Sequence, residues 1–129
     1  MADGSVCGII WDHEFAQYGV GASRVSLSNQ LTNYRVWDVT SDSHWACLVD
    51  KAIINAQVYW SWIQYEGQQR QQYPQDIEIE FEDGSVVLFS ASQYHQNEDN
   101  LWGMSDDIAV VFGKESAHRY SLGPYASDD

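Results

Sequence analysis

The sequence predicts an α+β fold that is mainly antiparallel β-sheet, with about six strands and one or two short helices. Three observations predict it: strict apolar–polar alternation at residues 77–82, a second alternating segment at 52–65, and an Asp83-Gly84 turn signal between two apolar runs. A length of 129 residues favours one domain over residues 1–129. The last residues, 121–129, end in Ala-Ser-Asp-Asp and are expected to fray.

The first half of the chain gives weaker signals. Residues 6–11 predict a strand, and the spacing of Leu27, Leu31 and Tyr34 permits a short helix over 26–34. Residues 35–39 return to strand character, and 41–49 predict a second short helix with Ser41 or Asp42 as its N-cap. Two cysteines, Cys7 and Cys47, are expected to be buried thiols, with a disulfide between them left open as the alternative.

Residues 52–65 predict a long strand. One parity is apolar, and the other carries Asn55, Gln57, Tyr59 and Ser61; the apolar parity consists of Ile54, Ala56, Val58, Trp60 and Trp62. One of these two sets must face the core. Residues 66–75, rich in Gln, are predicted to be a polar connector to the next strand.

The clearest element is a hairpin over residues 76–92. Its first strand alternates core residues with a solvent-facing acidic set, which consists of Glu78, Glu80 and Glu82. A two-residue loop pairs Phe81 with Val86 and Ile79 with Leu88, whereas a bulged loop shifts this register by one residue. Further on, 94–105 is predicted to be a polar loop, and 106–112 a central strand covered on both faces.

Charge and aromatic content together restrict the function. Nineteen acidic residues against six basic ones give a net charge of −13, which disfavours binding to nucleic acids and anionic membranes. Six Trp, eight Tyr and four Phe argue against a disordered acidic chain. No run is long enough to span a membrane, and residues 1–11 do not form a signal peptide, so a cytoplasmic protein is expected.

Candidate catalytic motifs are weak. Adjacent side chains of Asp12, His13 and Glu14 diverge on a strand, so a metal site or hydrolase there requires a cleft in which they converge. His95 with Glu98 and Asp99 lacks the dense oxygen pattern of a calcium loop and is expected to be solvated. The sequence has no Gly-x-Ser-x-Gly and no phosphate-binding Gly loop. We therefore expect no enzyme, cofactor or metal.

A protein-binding role accounts for the acidic segments better. Ordered carboxylates are most simply a solvated face, but they also attract a basic protein, which relieves their mutual repulsion. The expected partner-binding residues are steering acids and exposed aromatic anchors: Glu78, Glu80, Glu82, Asp83, Asp106 and Asp107, with Tyr59, Tyr65 and Trp102.

Three segments carry a resemblance to a family. They are Leu-Val-Asp-Lys-Ala-Ile at 48–53, Ile-Glu-Phe-Glu-Asp-Gly at 79–84, and Met-Ser-Asp-Asp-Ile-Ala-Val-Val-Phe at 104–112. Over roughly residues 45–113 the chain resembles small bacterial immunity-type proteins of toxin–immunity systems. The resemblance implies a cytoplasmic, acidic, non-enzymatic inhibitor that masks the active site of a cognate toxin. It assigns no inhibitory residue by position.

The alternative interpretation is a small-molecule-binding β domain with an aromatic pocket lined by Trp60, Trp62 and Trp102. A deep cavity with convergent polar groups favours this alternative. A filled core with flat acidic faces favours the inhibitor. Both a monomer and a homodimer are compatible with the sequence.

Overall fold

The computed structural model describes residues 7–12, 19–24 and 37–126. This part of the chain contains eight strands in three antiparallel sheets, together with two short helices, so the predicted fold class is confirmed. The strands are β1 (Cys7–Asp12), β2 (Gly19–Arg24), β3 (Ile53–Ile63), β4 (Gln71–Phe81), β5 (Val86–Ser90), β6 (Gln93–His95), β7 (Asn100–Trp102) and β8 (Ala109–Phe112). The helices are α1 (Ser43–Ala46) and α2 (Lys114–Arg119), followed by a 3₁₀ turn at Gly123–Tyr125.

The main sheet has the strand order β3-β4-β5-β8. Its β4–β5 hairpin adopts the bulged alternative: the Phe81 N–H donates to the Ser85 carbonyl at 2.8 Å, and Ile79 lies opposite Val87. Gly84, with φ of 86°, supplies the left-handed residue that closes such a three-residue loop. The two-residue-loop register, with Phe81 opposite Val86, is therefore wrong.

Both faces of the sheet are partly covered. On one face, which we call the hairpin face, Ile77 packs with Val20 of β2, while Phe81 and Val87 pack with Leu48 after α1. On the other, the helix face, α2 and the segment after it cover the β5–β8 half. The buried cluster there consists of Val86, Leu88, Val111, Ala117 and Leu122. Because Ala117 has a small side chain, α2 can approach the sheet closely.

Several predicted elements differ from the structure. The strand at 106–112 begins only at Ala109 and is an edge strand, because β8 pairs with β5 alone among the described strands. The predicted connector at 66–75 is shorter, since β4 already begins at Gln71. The predicted loop at 94–105 contains the β6–β7 hairpin. The predicted helix at 41–49 is limited to α1, with Asp42 as N-cap accepting from the His44 N–H at 3.0 Å.

The predictions for the C-terminal residues, for the two cysteines and for residues 35–39 also differ from the structure. Residues 121–126 are ordered, with Leu122 and Gly123 buried, whereas 127–129 lie outside the described residues. Cys7 and Cys47 are free thiols and are exposed rather than buried. Residues 37–39 are not a strand, and the predicted helix at 26–34 lies outside the described residues.

Candidate partner-binding surface and the adjoining cleft

The outer strand β3 exposes most of its large apolar side chains. Its eleven residues include no charged residue and no proline. We call its exposed large apolar residues the apolar edge: Ile53, Ile54, Val58, Trp60 and Trp62. A long edge strand without charges or proline is the kind of strand that pairs with another chain.

The side chains of β3 follow the sheet register onto two faces. Ala56 and Val58 lie opposite Ile79 and Ile77 and therefore point to the hairpin face, whereas a register shift between Tyr59 and Trp60 interrupts the pairing before Trp60 and Trp62. Gln57 lies opposite Glu78, and Tyr59 lies opposite Asp76, so both point to the helix face. The alternating set that includes Ile54, Val58, Trp60 and Trp62 was one candidate for the core. These four side chains are instead exposed.

Three carboxyl groups form a row on the helix face of β4, which we call the carboxylate row: Asp76, Glu78 and Glu80. They lie opposite Ser90, Leu88 and Val86 of β5, so they share a face with the buried cluster under α2. The sequence predicts that Glu78 and Glu80 face solvent, but both are half-buried, and Asp76 beside them is buried. The reason is that α2 and residues 120–126 cover this face, which strand alternation alone cannot reveal.

The carboxylate row is electrostatically strained. Burial raises the pKa of Glu78, and the neighbouring Glu80 raises it further, while Lys114 at the start of α2 acts in the opposite direction. The pKa of Tyr59 is also raised, first by burial and then by the negative charge of Glu78. A cation brought to this row would offset that repulsion.

The other predicted steering acids lie apart from the row. Glu82 and Asp83 are in the exposed turn between β4 and β5, whereas Asp106 and Asp107 precede β8 at the opposite end of β5. These two groups are separated by the length of β5, which is about 17 Å. The structure therefore distributes the predicted acids over both ends of the sheet instead of one strip.

Asp83 already has a cationic partner. Its carboxylate forms an ion pair with Lys51, and its other oxygen accepts from the Ser85 N–H at 3.0 Å. The hydrogen bond from Lys51 lowers the pKa of Asp83 well below its usual range. Asp83 therefore joins the segment after α1 to the β4–β5 turn.

The predicted aromatic anchors occupy different environments. Tyr59 is half-buried on the helix face, and Tyr65 is exposed beyond the end of β3. Trp102 is exposed on β7, where its ring stacks on His95 with centroids 4.1 Å apart and its Nε1–H donates to Glu98 at 3.1 Å. These contacts also account for His95 and Glu98 of the loop that the sequence predicts to be solvated.

Asp99, the third residue of that loop, anchors the β6–β7 hairpin to α2. Its Oδ1 accepts from the hydroxyls of Tyr94 and Tyr120, each at 2.8 Å, and Oδ2 forms an ion pair with Arg119. Asp99 has a φ of 47°, a backbone conformation common for Asp in turns. The hairpin is thereby held beside residues 120–126.

A cleft of about 820 Å³ opens between this anchored hairpin, the segment 120–126 and the far ends of β3 and β4. Aromatic side chains form much of its lining: Tyr59, Trp60, Trp62, Tyr73 and Tyr120. Arg70 also lines it, with its guanidinium 4.5 Å from the centroid of the Trp62 ring. Of the predicted pocket residues, Trp60 and Trp62 line this cleft, whereas Trp102 does not.

Asp76 lies at the base of the cleft and is only 2% exposed. Its Oδ2 accepts from the Gly123 N–H at 2.9 Å, whereas Oδ1 has no hydrogen-bond partner among the described residues. Burial raises the pKa of Asp76, and the Ser90 hydroxyl and the Gly123 amide oppose that change. Next to it, Gln75 donates to the Ala91 carbonyl at 2.7 Å and to the Ser92 hydroxyl at 3.1 Å.

The sequence does not indicate the packing role of Gly123 beside Asp76. Gly123 has a φ of 56°, and an added Cβ would lie 2.8 Å from Leu88 Cδ2, so a side chain there would clash with the core. The Gly123-Pro124 pair in the sequence was a turn signal, but nothing in it indicated that the turn packs on Asp76.

No group of three or more His, Cys, Asp or Glu side chains that could hold a metal occurs within residues 7–12, 19–24 and 37–126. The described residues that line the cleft include neither His nor Cys. Of the predicted hydrolase motif, Asp12 ends β1, and His13 and Glu14 lie outside the described residues.

Comparison of the chain with protein-family models, with curated protein sequences and with solved structures finds no match. Among the described helices, none is long and apolar enough to cross a bilayer.

Proposed function

We propose that this chain is an acidic, non-enzymatic inhibitor of the immunity type, acting in the cytoplasm by binding a basic toxin domain and masking its active site. The observation that carries the proposal is the apolar edge on β3: an uncharged, solvent-exposed strand edge on a protein with a net charge of −13. Exposed apolar surface of this kind marks a binding site for another protein.

Charge supports the choice of a basic partner. The half-buried Glu78 and Glu80 lie one strand inward from the apolar edge, and Lys114 is the cation that acts on Glu78. Long-range attraction speeds encounter, and contacts at the apolar edge then hold the complex. A standard interface buries about 800 Å² on each partner, and an eleven-residue strand extends about 35 Å, which is long enough to span such a patch.

The resemblance to immunity-type proteins adds the biological setting. We propose that the partner is encoded by the reading frame next to this gene. Expression of that toxin domain in bacteria should stop growth, and co-expression of this chain should restore it. If the neighbouring protein is harmless, or if it remains toxic in the presence of the folded chain, the immunity proposal is wrong.

Steering can be tested with two double variants that change the net charge equally. Glu78→Lys with Glu80→Lys alters the carboxylate row, and Asp106→Lys with Asp107→Lys alters the far end of the sheet. The first pair should slow association with the toxin domain about tenfold at low salt and weaken its salt dependence. The second pair should have at most about a third of that effect. Equal slowing by both pairs would mean that only net charge matters.

The cleft favours a second candidate function, the binding of a small neutral molecule. Its volume lies within the range of ligand pockets, and the charged groups in its lining are Arg70 and Asp76, whose formal charges cancel. Aromatic faces together with hydroxyl and amide groups suit a sugar-like ring.

Trp62 and Trp102 provide a matched pair for this second candidate, because both are exposed and only Trp62 lines the cleft. Glucose and N-acetylglucosamine should change the tryptophan fluorescence of the native chain and of Trp102→Ala, but not of Trp62→Ala. An equal response from both variants, or none from the native chain at tens of millimolar sugar, argues against a ligand site.

A further inference from the structure

The partner's own binding segment can be described from the geometry of β3. Among the described strands, β3 pairs only with β4, so its other side is an edge of the sheet. Natural edge strands are commonly protected by Lys, by Pro or by being short. β3 has eleven residues and carries neither Lys nor Pro, although two register shifts occur along its pairing with β4.

The two faces of β3 differ in chemistry. Between the two register shifts, the hairpin face carries Ala56 and Val58, which are exposed. The helix face carries the uncharged polar residues Asn55 and Gln57. A strand added beside β3 continues the same alternation, because side chains of directly opposed residues share a face. Its side chains on the hairpin face would meet apolar neighbours.

On the helix face, an added strand meets the carboxylate row across β3. Asn55 lies opposite Glu80, and Gln57 lies opposite Glu78. The added strand would be about 10 Å from β4, two strand spacings away. The long side chains of Lys and Arg extend over short polar residues and can reach Glu78 and Glu80 from there. Asp76, the third member of the row, is buried under Gly123 and is not reachable.

We propose that the partner binds by adding a strand to β3, and that this strand alternates basic residues facing Glu78 and Glu80 with apolar residues facing Ala56 and Val58. The inference rests on the proposed protein-binding function and specifies the partner's chemistry. A second copy of this chain is a poorer occupant, because its β3 contains no cation to offset the carboxylates.

Synthetic peptides test the inference without the toxin. One nine-residue peptide alternates Lys and Val, a second has the same composition in one Lys block and one Val block, and a third alternates Glu and Val. Binding to the full chain is measured by fluorescence anisotropy at 150 mM salt, and protection of β3 amides by hydrogen exchange. The alternating Lys peptide should bind at least tenfold more tightly than the block peptide and protect β3, and the Glu peptide should not bind.

Val58→Lys and Val110→Lys provide the matched variants, since both valines lie on edge strands of the main sheet and are similarly exposed. Val58→Lys should weaken the alternating peptide at least tenfold, and Val110→Lys should leave it unchanged. Equal binding of the alternating and block peptides, or equal loss in both variants, would overturn strand addition. A stable homodimer with protected β3 amides would overturn the choice of occupant.

The two proposals fail in different ways. If the toxin domain is neutralised but the alternating peptide does not bind, strand addition is wrong and the inhibitor stands. If the peptide binds but no neighbouring toxin is neutralised, the edge is a binding site and the immunity role is wrong.

Discussion

Among the described strands, β3 and β8 are the two edges of the same four-stranded sheet, and they expose comparable side chains. Val58 on β3 and Val110 on β8 even lie in one cross-strand row, through Ile77 and Phe89, with 37% and 40% exposure. Yet β8 has four residues, follows Asp106 and Asp107, and leads directly into α2, whereas β3 is an uncharged strand of eleven. Both strands are uncharged and each exposes a valine, so length is what distinguishes β3 as the proposed binding edge.

The two edges also differ in how they are tied to the core. Val111 of β8 packs in the cluster under α2, next to Leu88. Val111→Lys should destabilise the fold by more than about 3 kcal/mol, because it buries an unpaired charge. Val58→Lys should change the free energy of unfolding by less than about 0.5 kcal/mol, because its side chain remains in solvent. Chemical denaturation measures both, and similar losses in the two variants would remove the contrast.

The helix face changes from apolar on β5 and β8 to acidic on β4, and Asp76 is the most buried of its acids. A raised pKa in the folded state means that stability falls as the pH rises from the ordinary value of 3.8 through the raised value. Asp76→Asn keeps an acceptor for the Gly123 N–H and removes the charge. We expect it to raise the free energy of unfolding at pH 7 by about 1–2 kcal/mol and to flatten the pH dependence above pH 4.

This result can be checked by denaturation at pH 4 and pH 7. Asp76→Ala is the control, since it leaves the buried Gly123 N–H without an acceptor and should destabilise the protein. If Asp76→Asn destabilises it as much as Asp76→Ala does at pH 7, the ionised carboxylate is a stabilising partner of the 120–126 segment.

Removing the charge of Glu78 should also raise the free energy of unfolding at pH 7, but by less than removing that of Asp76. The raised pKa of Glu78 means that ionisation costs stability as the pH rises above the ordinary value of 4.5. Because solvent screens this half-buried group, Glu78→Gln should stabilise the protein at pH 7 by at most about 0.5 kcal/mol. Glu82→Gln, in the exposed turn, should have no measurable effect. Greater stabilisation by Glu82→Gln would mean that the carboxylate row is not the strained part of the sheet.

The sequence predicted the strands whose alternation is strict and failed where coverage by distant segments decides. Residues 77–82 alternate because the hairpin face of β4 is core, and that strand was predicted correctly. The same alternation could not show that Glu78 is half-buried, because α2 and residues 120–126 come much later in the chain.

β8 shows a second limit of prediction from the sequence. Its continuous apolar run reports coverage of the faces only in part: Phe112 contacts Trp45 with centroids 4.9 Å apart and Val111 lies under α2, but Val110 is exposed. Coverage of a strand's faces does not show whether it pairs with strands on both of its sides. The apolar run therefore did not establish that β8 is a central strand of the sheet. The cleft was similarly beyond prediction, because it depends on the contact of Gly123 with Asp76, 47 residues away in the chain.

The central claim is that β3, and not β8, is the binding edge. The most direct test measures the dissociation constant of the neighbouring toxin domain for the native chain, Val58→Lys and Val110→Lys at 150 mM salt. Val58→Lys should weaken binding at least a hundredfold, because a like-charged side chain then meets a basic partner at the centre of the interface. Val110→Lys should remain within threefold of the native chain. Unchanged binding by folded Val58→Lys, or an equal loss in Val110→Lys, would contradict the account.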